Sequence, residues 1–205
     1  MFGIEVITEP ATEPLSLDDA KAHLRFYHEH EADLIRSLIT AARQYCQTWT
    51  GKAFVTQELR LTRDCFPRYG DVIRIPRPPL QTLTPDATYT DLGIFYTDVN
   101  GDEQELDAST YVVDTTAEVG RIGLAYGETW PTDVIDQIGA VKVQYLAGYG
   151  AASAVPKTIK QAMLLLIGHW FVNREAVGNV GGPVEMAVSS LLGTAWSGQL
   201  TADFG

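Results

Sequence analysis

The chain has 205 residues, 45% of them apolar, and a formal net charge of −11. That length and apolar content suffice for one domain with an insertion or for two small domains. The charge excludes a cationic grip on a nucleic-acid backbone as the main task, because such a grip needs clustered Lys and Arg.

The opening MFGIEVITEP has neither the basic region nor the long apolar run of a secretory leader. Glu9-Pro10 and Glu13-Pro14 mark residues 1–14 as an extended arm. Ser16 is placed to cap a helix, with Asp18 and Asp19 at its positive end. Leu17, Ala20 and Leu24 give that helix a short apolar stripe ending near Phe26. A second helix starts at about His30. Ile35, Leu38, Ile39, Ala42, Cys46 and Trp49 recur at helical spacing, and Gly51 stops it.

The period then changes from helical to two. Glu58–Thr62, Val72–Ile75, Ile94–Tyr96, Tyr111–Val113, Arg121–Leu124 and Val141–Tyr145 all read as short strands. Asn100-Gly101 predicts a hairpin between Ile94–Tyr96 and a following strand. Together they make an antiparallel module.

The helical period returns at Pro156 and runs to Arg174. Ile159, Met163, Leu166 and Trp170 share one face, widened by Ala162, Ile167 and Phe171. Leu164, Leu165 and Val172 lie off that face, so the helix is apolar nearly all round. Such a helix is buried on more than one side. Its second side packs either within a soluble core or against another subunit, with Leu164, Leu165 and Val172 as the interface residues. Lys160, Gln161, His169 and Asn173 interrupt a run that is too short to cross a membrane. A glycine-rich loop from Gly178 to Pro183 and a short helix from about Glu185 to Leu192 follow. The tail 193–205 has no periodicity.

The expected fold class is therefore α+β. Helices from the two ends form an antiparallel bundle, residues 1–52 and 151–192, because the large apolar stripes of the second and third helices need each other as cover. A β-rich module, residues 53–150, is inserted between them, and 193–205 is a flexible tail.

Few motifs carry chemistry. Asp98-Val99-Asn100-Gly101-Asp102 hints at a calcium loop, but Gly falls fourth rather than sixth and position twelve is Ser109, so a hairpin explains it better. His23, His28 and His30 are close in sequence without convergent Cys or carboxylates. His169 is a lone core or boundary imidazole. No nucleophile elbow, P-loop or dinucleotide fingerprint is present. Cys46 and Cys65 read as buried thiols of a reducing compartment. No catalytic residue, cofactor site or metal site is assigned.

Four ordered stretches carry a resemblance. They are the opening LSLDDAKAHLR, a helix ending in WTGKAF, the pair IPRPPLQTL and YLAGYG, and VPKTIKQAMLLLIGHWFVNREAV. Together these resemble the head–tail connector (adaptor) family of tailed bacteriophages and gene transfer agents, over about residues 13–192. The resemblance implies a non-enzymatic virion protein without a cofactor. It forms a ring, usually dodecameric, under the capsid portal at the capsid–tail junction and is assembled in the host cytoplasm. The implied partners are copies of itself, the portal protein and a downstream stopper or tail protein. DNA passes through without specific binding, and no membrane is involved. An acidic lining fits such passage, since it leaves the DNA charge unneutralised. The tail, anchored by Trp196, Leu200 and Phe204, is the expected portal-docking arm. The rival readings are another neck protein (a stopper or tail terminator), a small enzyme built from scattered carboxylates and His169, and a β-rich ligand-binding module fused to a helical dimerisation unit.

Overall fold

A computed structural model describes residues 2–68, 70–81, 93–173 and 182–195. The protein is α+β, and the described residues fall into two compact units. The helical unit joins Ala11–Val55 to the described residues from Tyr149 onward; the β unit joins the N-terminal strand to the described residues of Thr56–Gly148.

In the helical unit, α1 (Leu17–Leu24) begins with a reciprocal cap. The Ser16 hydroxyl accepts from the Asp19 N–H at 3.1 Å, and the Asp19 carboxylate accepts from the Ser16 N–H at 3.2 Å. The Ser16 hydrogen bonds hold the Asp19 carboxyl below its ordinary value. α2 (Ala32–Thr50) stops at Gly51, whose left-handed backbone (φ 68°) lets its N–H reach the Gln47 carbonyl at 2.9 Å. α3 (Lys157–Val172) packs on α2 with one face and on α4 (Gly182–Gly193) with another. This accounts for an α3 that is apolar on two sides. Ile159, Ala162, Met163, Leu166 and Ile167 join Ile35, Ile39, Ala42 and Cys46 from α2, and Val188 and Leu192 from α4, in one core. α4 starts about three residues earlier than the sequence suggested. None of these helices is long and apolar enough to cross a membrane, among the described residues.

The β unit contains β1 (Phe2–Thr8), β2 (Gln57–Arg63), β3 (Ile73–Arg74), β4 (Gly93–Thr97), β5 (Glu103–Glu105), β6 (Tyr111–Asp114), β7 (Arg121–Leu124) and β8 (Val141–Ala147). All pairings are antiparallel. They build a five-stranded sheet in the order β1-β2-β8-β4-β5 and a three-stranded sheet in the order β3-β7-β6. Residues 2–8, expected as part of an extended arm, are extended and pair along β2 as a sheet edge. The antiparallel module expected from the strand pattern consists of two sheets. Tyr145 at the centre of β8 is fully buried, and its hydroxyl donates to the Pro76 carbonyl at 2.9 Å. Burial pushes that phenol far above its ordinary range.

Candidate interaction surfaces

The three residues expected on an α3 interface do not share one environment. Leu164 and Leu165 are half-buried and pack against the helical unit's own core. Val172, at the end of α3, is 77% exposed. Nearby, Trp170 meets Tyr45 edge-on at 6.1 Å, and Phe171 meets Phe26 at 5.3 Å. The end of α3 thus carries two aromatic pairs and one exposed aliphatic side chain. Trp196, Leu200 and Phe204, expected in the docking tail, lie outside the described residues, as do Gly178 to Gly181 of the glycine-rich loop. Gly182 and Pro183 of that loop belong to α4.

His23 lies beside Gly168, where a Cβ would sit 3.4 Å from its Nε2. His28 stands edge-on to Phe26 at 5.2 Å. His169 Nδ1 lies 3.3 Å from Asn173 Nδ2, which donates to the His169 carbonyl at 2.9 Å. Among the described residues no three His, Cys, Asp or Glu side chains come together as a metal set.

The Asp98 loop acts as a hairpin device. Asp98 Oδ1 accepts from the N–H groups of Asn100 (2.8 Å) and Asp102 (3.0 Å), and Oδ2 accepts from Gln104 Nε2 (3.1 Å). These donors hold its carboxyl below the ordinary 3.8, the Asp102 amide most of all. A depressed folded-state value contributes stability above pH 3.8 and loses it as pH falls through the folded value. Asp98→Asn is therefore expected to flatten the acid limb of the stability–pH curve between about pH 5 and 2. Thermal melts across that range measure it, and an unchanged slope would remove Asp98 from the acid response.

The two thiols differ. Cys46 is buried, and burial pushes its thiol up to about 12. Cys65, expected to be buried too, is exposed, because it lies in the bend where the chain leaves β2. It borders a cleft of about 420 Å³ in the β unit. There Phe66 stacks on Trp130 with centroids 5.0 Å apart and planes 12° apart, and Phe66 also meets Tyr96 edge-on. Pro67, Pro131 and Val134 add to the apolar part of the lining, Thr129 and Thr132 add hydroxyls, and no Asp, Glu or His is part of it. The cleft was not visible in the sequence, since Phe66 and Trp130 are 64 positions apart on irregular segments.

No family model matches the chain, and no curated protein matches it. Solved structures do. A chain in the neck of an empty gene transfer agent (GTA) particle, computed with C6 symmetry, superposes with a TM-score of 0.75 at 23% identity, covering 95% of both chains. A chain in the virion of a native GTA particle gives 0.73 at 24% identity over 94% of each. A chain in the neck of a native GTA particle, computed with C12 symmetry, gives 0.68 at 24% identity over 95% of this chain and 94% of its own. The fold shared with these virion chains therefore extends over both units.

Proposed function

We propose that this chain is a structural subunit of a virion neck: a head–tail connector (adaptor) that forms a ring beneath the capsid portal. The observation that carries this reading is the end-to-end likeness to chains of GTA neck particles, two of them computed with cyclic symmetry. In a cyclic ring each subunit presents two different surfaces that meet head to tail. The ring extends the DNA channel and gives the next neck component its platform. With a net charge of −11, a lumen lined by Asp and Glu would repel the DNA backbone and let it slide. No catalytic role is assigned.

Cryo-electron microscopy of particles carrying this chain is expected to show it as a ring at the portal vertex. Finding it absent from particles, or on the tail tube as a stopper or terminator would be, overturns the adaptor reading. A strongly basic lumen in the ring would overturn the sliding argument alone. Within the ring, the segment 193–205 with Trp196, Leu200 and Phe204 is the proposed portal-docking arm. Its deletion is expected to abolish attachment to portal-bearing capsids in a co-sedimentation assay while leaving the helical and β units folded. Unchanged attachment would remove the arm from docking.

The Phe66–Trp130 cleft favours one second reading, a ligand-binding module. An aromatic and apolar lining of this size is what a small-molecule site commonly has. Saturable quenching of tryptophan fluorescence by a small molecule, lost in Phe66→Ala, would move the assignment to that reading.

A further inference from the structure

The five-stranded sheet has two edges of opposite character. At β5 the edge is three residues long, exposed and acidic, with Glu103 held by Lys142 at 2.5 Å. Short charged edges discourage strand addition. At β1 the edge is seven residues, FGIEVIT, with no Lys and no Pro. One side of β1 pairs with β2, and among the described residues no strand pairs with the other.

The side chains make the contrast sharper. Residues directly opposite in an antiparallel ladder share a face. One row runs Ile94, Val143, Leu61, Ile4, with exposures of 0%, 0%, 1% and 39%. The next runs Tyr145, Leu59, Val6, with 0%, 1% and 45%. The buried face of the sheet therefore continues onto β1 and loses its cover there. Unpaired backbone groups and uncovered apolar side chains coincide on one strand.

We infer that the outer edge of β1 is completed by an extended segment of a second copy of this chain, which adds to the sheet and covers Ile4 and Val6. This rests on the neck-ring reading above and names one of the two surfaces each subunit would use. Charge favours a second copy at this place. Subunits with a net charge of −11 repel one another, and like charges set opposite each other weaken an interface. The β1 edge offers nearly neutral ground: its single charged side chain, Glu5, lies 3.7 Å from Arg60. Main-chain hydrogen bonds would supply affinity there, and the two aliphatic side chains would supply register. Head-to-tail closure requires that β1 meet a segment other than β1 of the next copy.

Photo-crosslinking tests this in purified particles that carry the full chain with p-benzoylphenylalanine in place of Ile4. Illumination is expected to give a ladder of dimers, trimers and higher multiples of this chain. Crosslinked peptides should join position 4 to a segment other than 2–8. Products with a different protein, products within one chain only, dimers joined β1 to β1, or no product from chain present in the particles would each overturn the inference. Chain missing from the particles would instead fail the neck reading and take this inference with it. If the position 4 variant does not fold, Val6→p-benzoylphenylalanine carries the same test. Amide exchange of the unmodified chain is an independent measure: residues 2–8 should exchange at least tenfold more slowly in the ring than in free subunits. Equal rates would overturn the proposal.

Discussion

Replacing Phe54 with alanine is expected to destabilise the helical unit by about 3–5 kcal/mol, the range for truncating a fully buried aromatic side chain. Phe54 is wholly buried in the core shared by α2, α3 and α4. It stands just past the helix stop at Gly51, where Lys52, Ala53, Phe54 and Val55 are all buried in succession. Its carbonyl also accepts from the Tyr149 N–H at 2.8 Å, joining the two chain segments of the unit. The alanine variant keeps that main-chain bond and loses the ring, so the deficit reports packing alone. Amide exchange of α2 and α3 measures it: the most protected amides should exchange faster by a factor of about 10² to 5 × 10³ if they open with the unit. A loss under about 1 kcal/mol would mean that the core collapses around the missing ring. For ring assembly the consequence is indirect, since a unit that opens more often presents its surfaces less often.

What the sequence shows in advance follows from how local each feature is. α2 and its stop are local, because one stripe and Gly51 suffice, and they appear where the spacing puts them. The cap at Ser16 is local too. Strand existence is nearly local, and β2, β4, β7 and β8 lie where period two places them. Pairing is not local: β8 sits between β2 and β4 although they are far apart in the chain, and alternation alone cannot assign strands to two sheets. β1 was readable in part, since Phe2, Ile4 and Val6 alternate, but the Glu-Pro pairs that follow make the segment look like an arm. The two apolar sides of α3 were legible, and so was α2 as the cover of one of them; the cover of the other was not. α4 covers one of them, and its sequence GPVEMAVSSLLG gives little amphipathic signal. The Phe66–Trp130 cleft, built from loops, leaves no spacing to read.

Glu13→Ala is expected to cost about 2–4 kcal/mol, near the lower end of what breaking a buried ion pair costs, because one partner keeps some contact with water. Nothing in the sequence marks Glu13 beyond the proline after it. In the structure it bonds two residues one turn apart on α2: Oε1 accepts from the Thr40 hydroxyl at 2.8 Å, and Oε2 accepts from Arg43 Nε at 2.9 Å. The Arg43 side chain is only 6% exposed and that of Glu13 29%. Arg43 also donates to Gln47 Oε1 at 3.2 Å, so the network continues along the helix. Pro14 and Leu15 are buried immediately after Glu13, which makes this stretch a clamp that sets where α1 begins. Removing the carboxylate takes the Glu13 charge away from a desolvated guanidinium, whereas removing both charges together does not. Arg43→Met combined with Glu13→Ala should therefore recover part of the loss, giving a coupling of about 1–3 kcal/mol in a double-mutant cycle. Denaturant melts of the four proteins measure it. Additive losses, or a Glu13→Ala variant within about 0.5 kcal/mol of the parent, would show that the pair is held by its surroundings and adds nothing of its own.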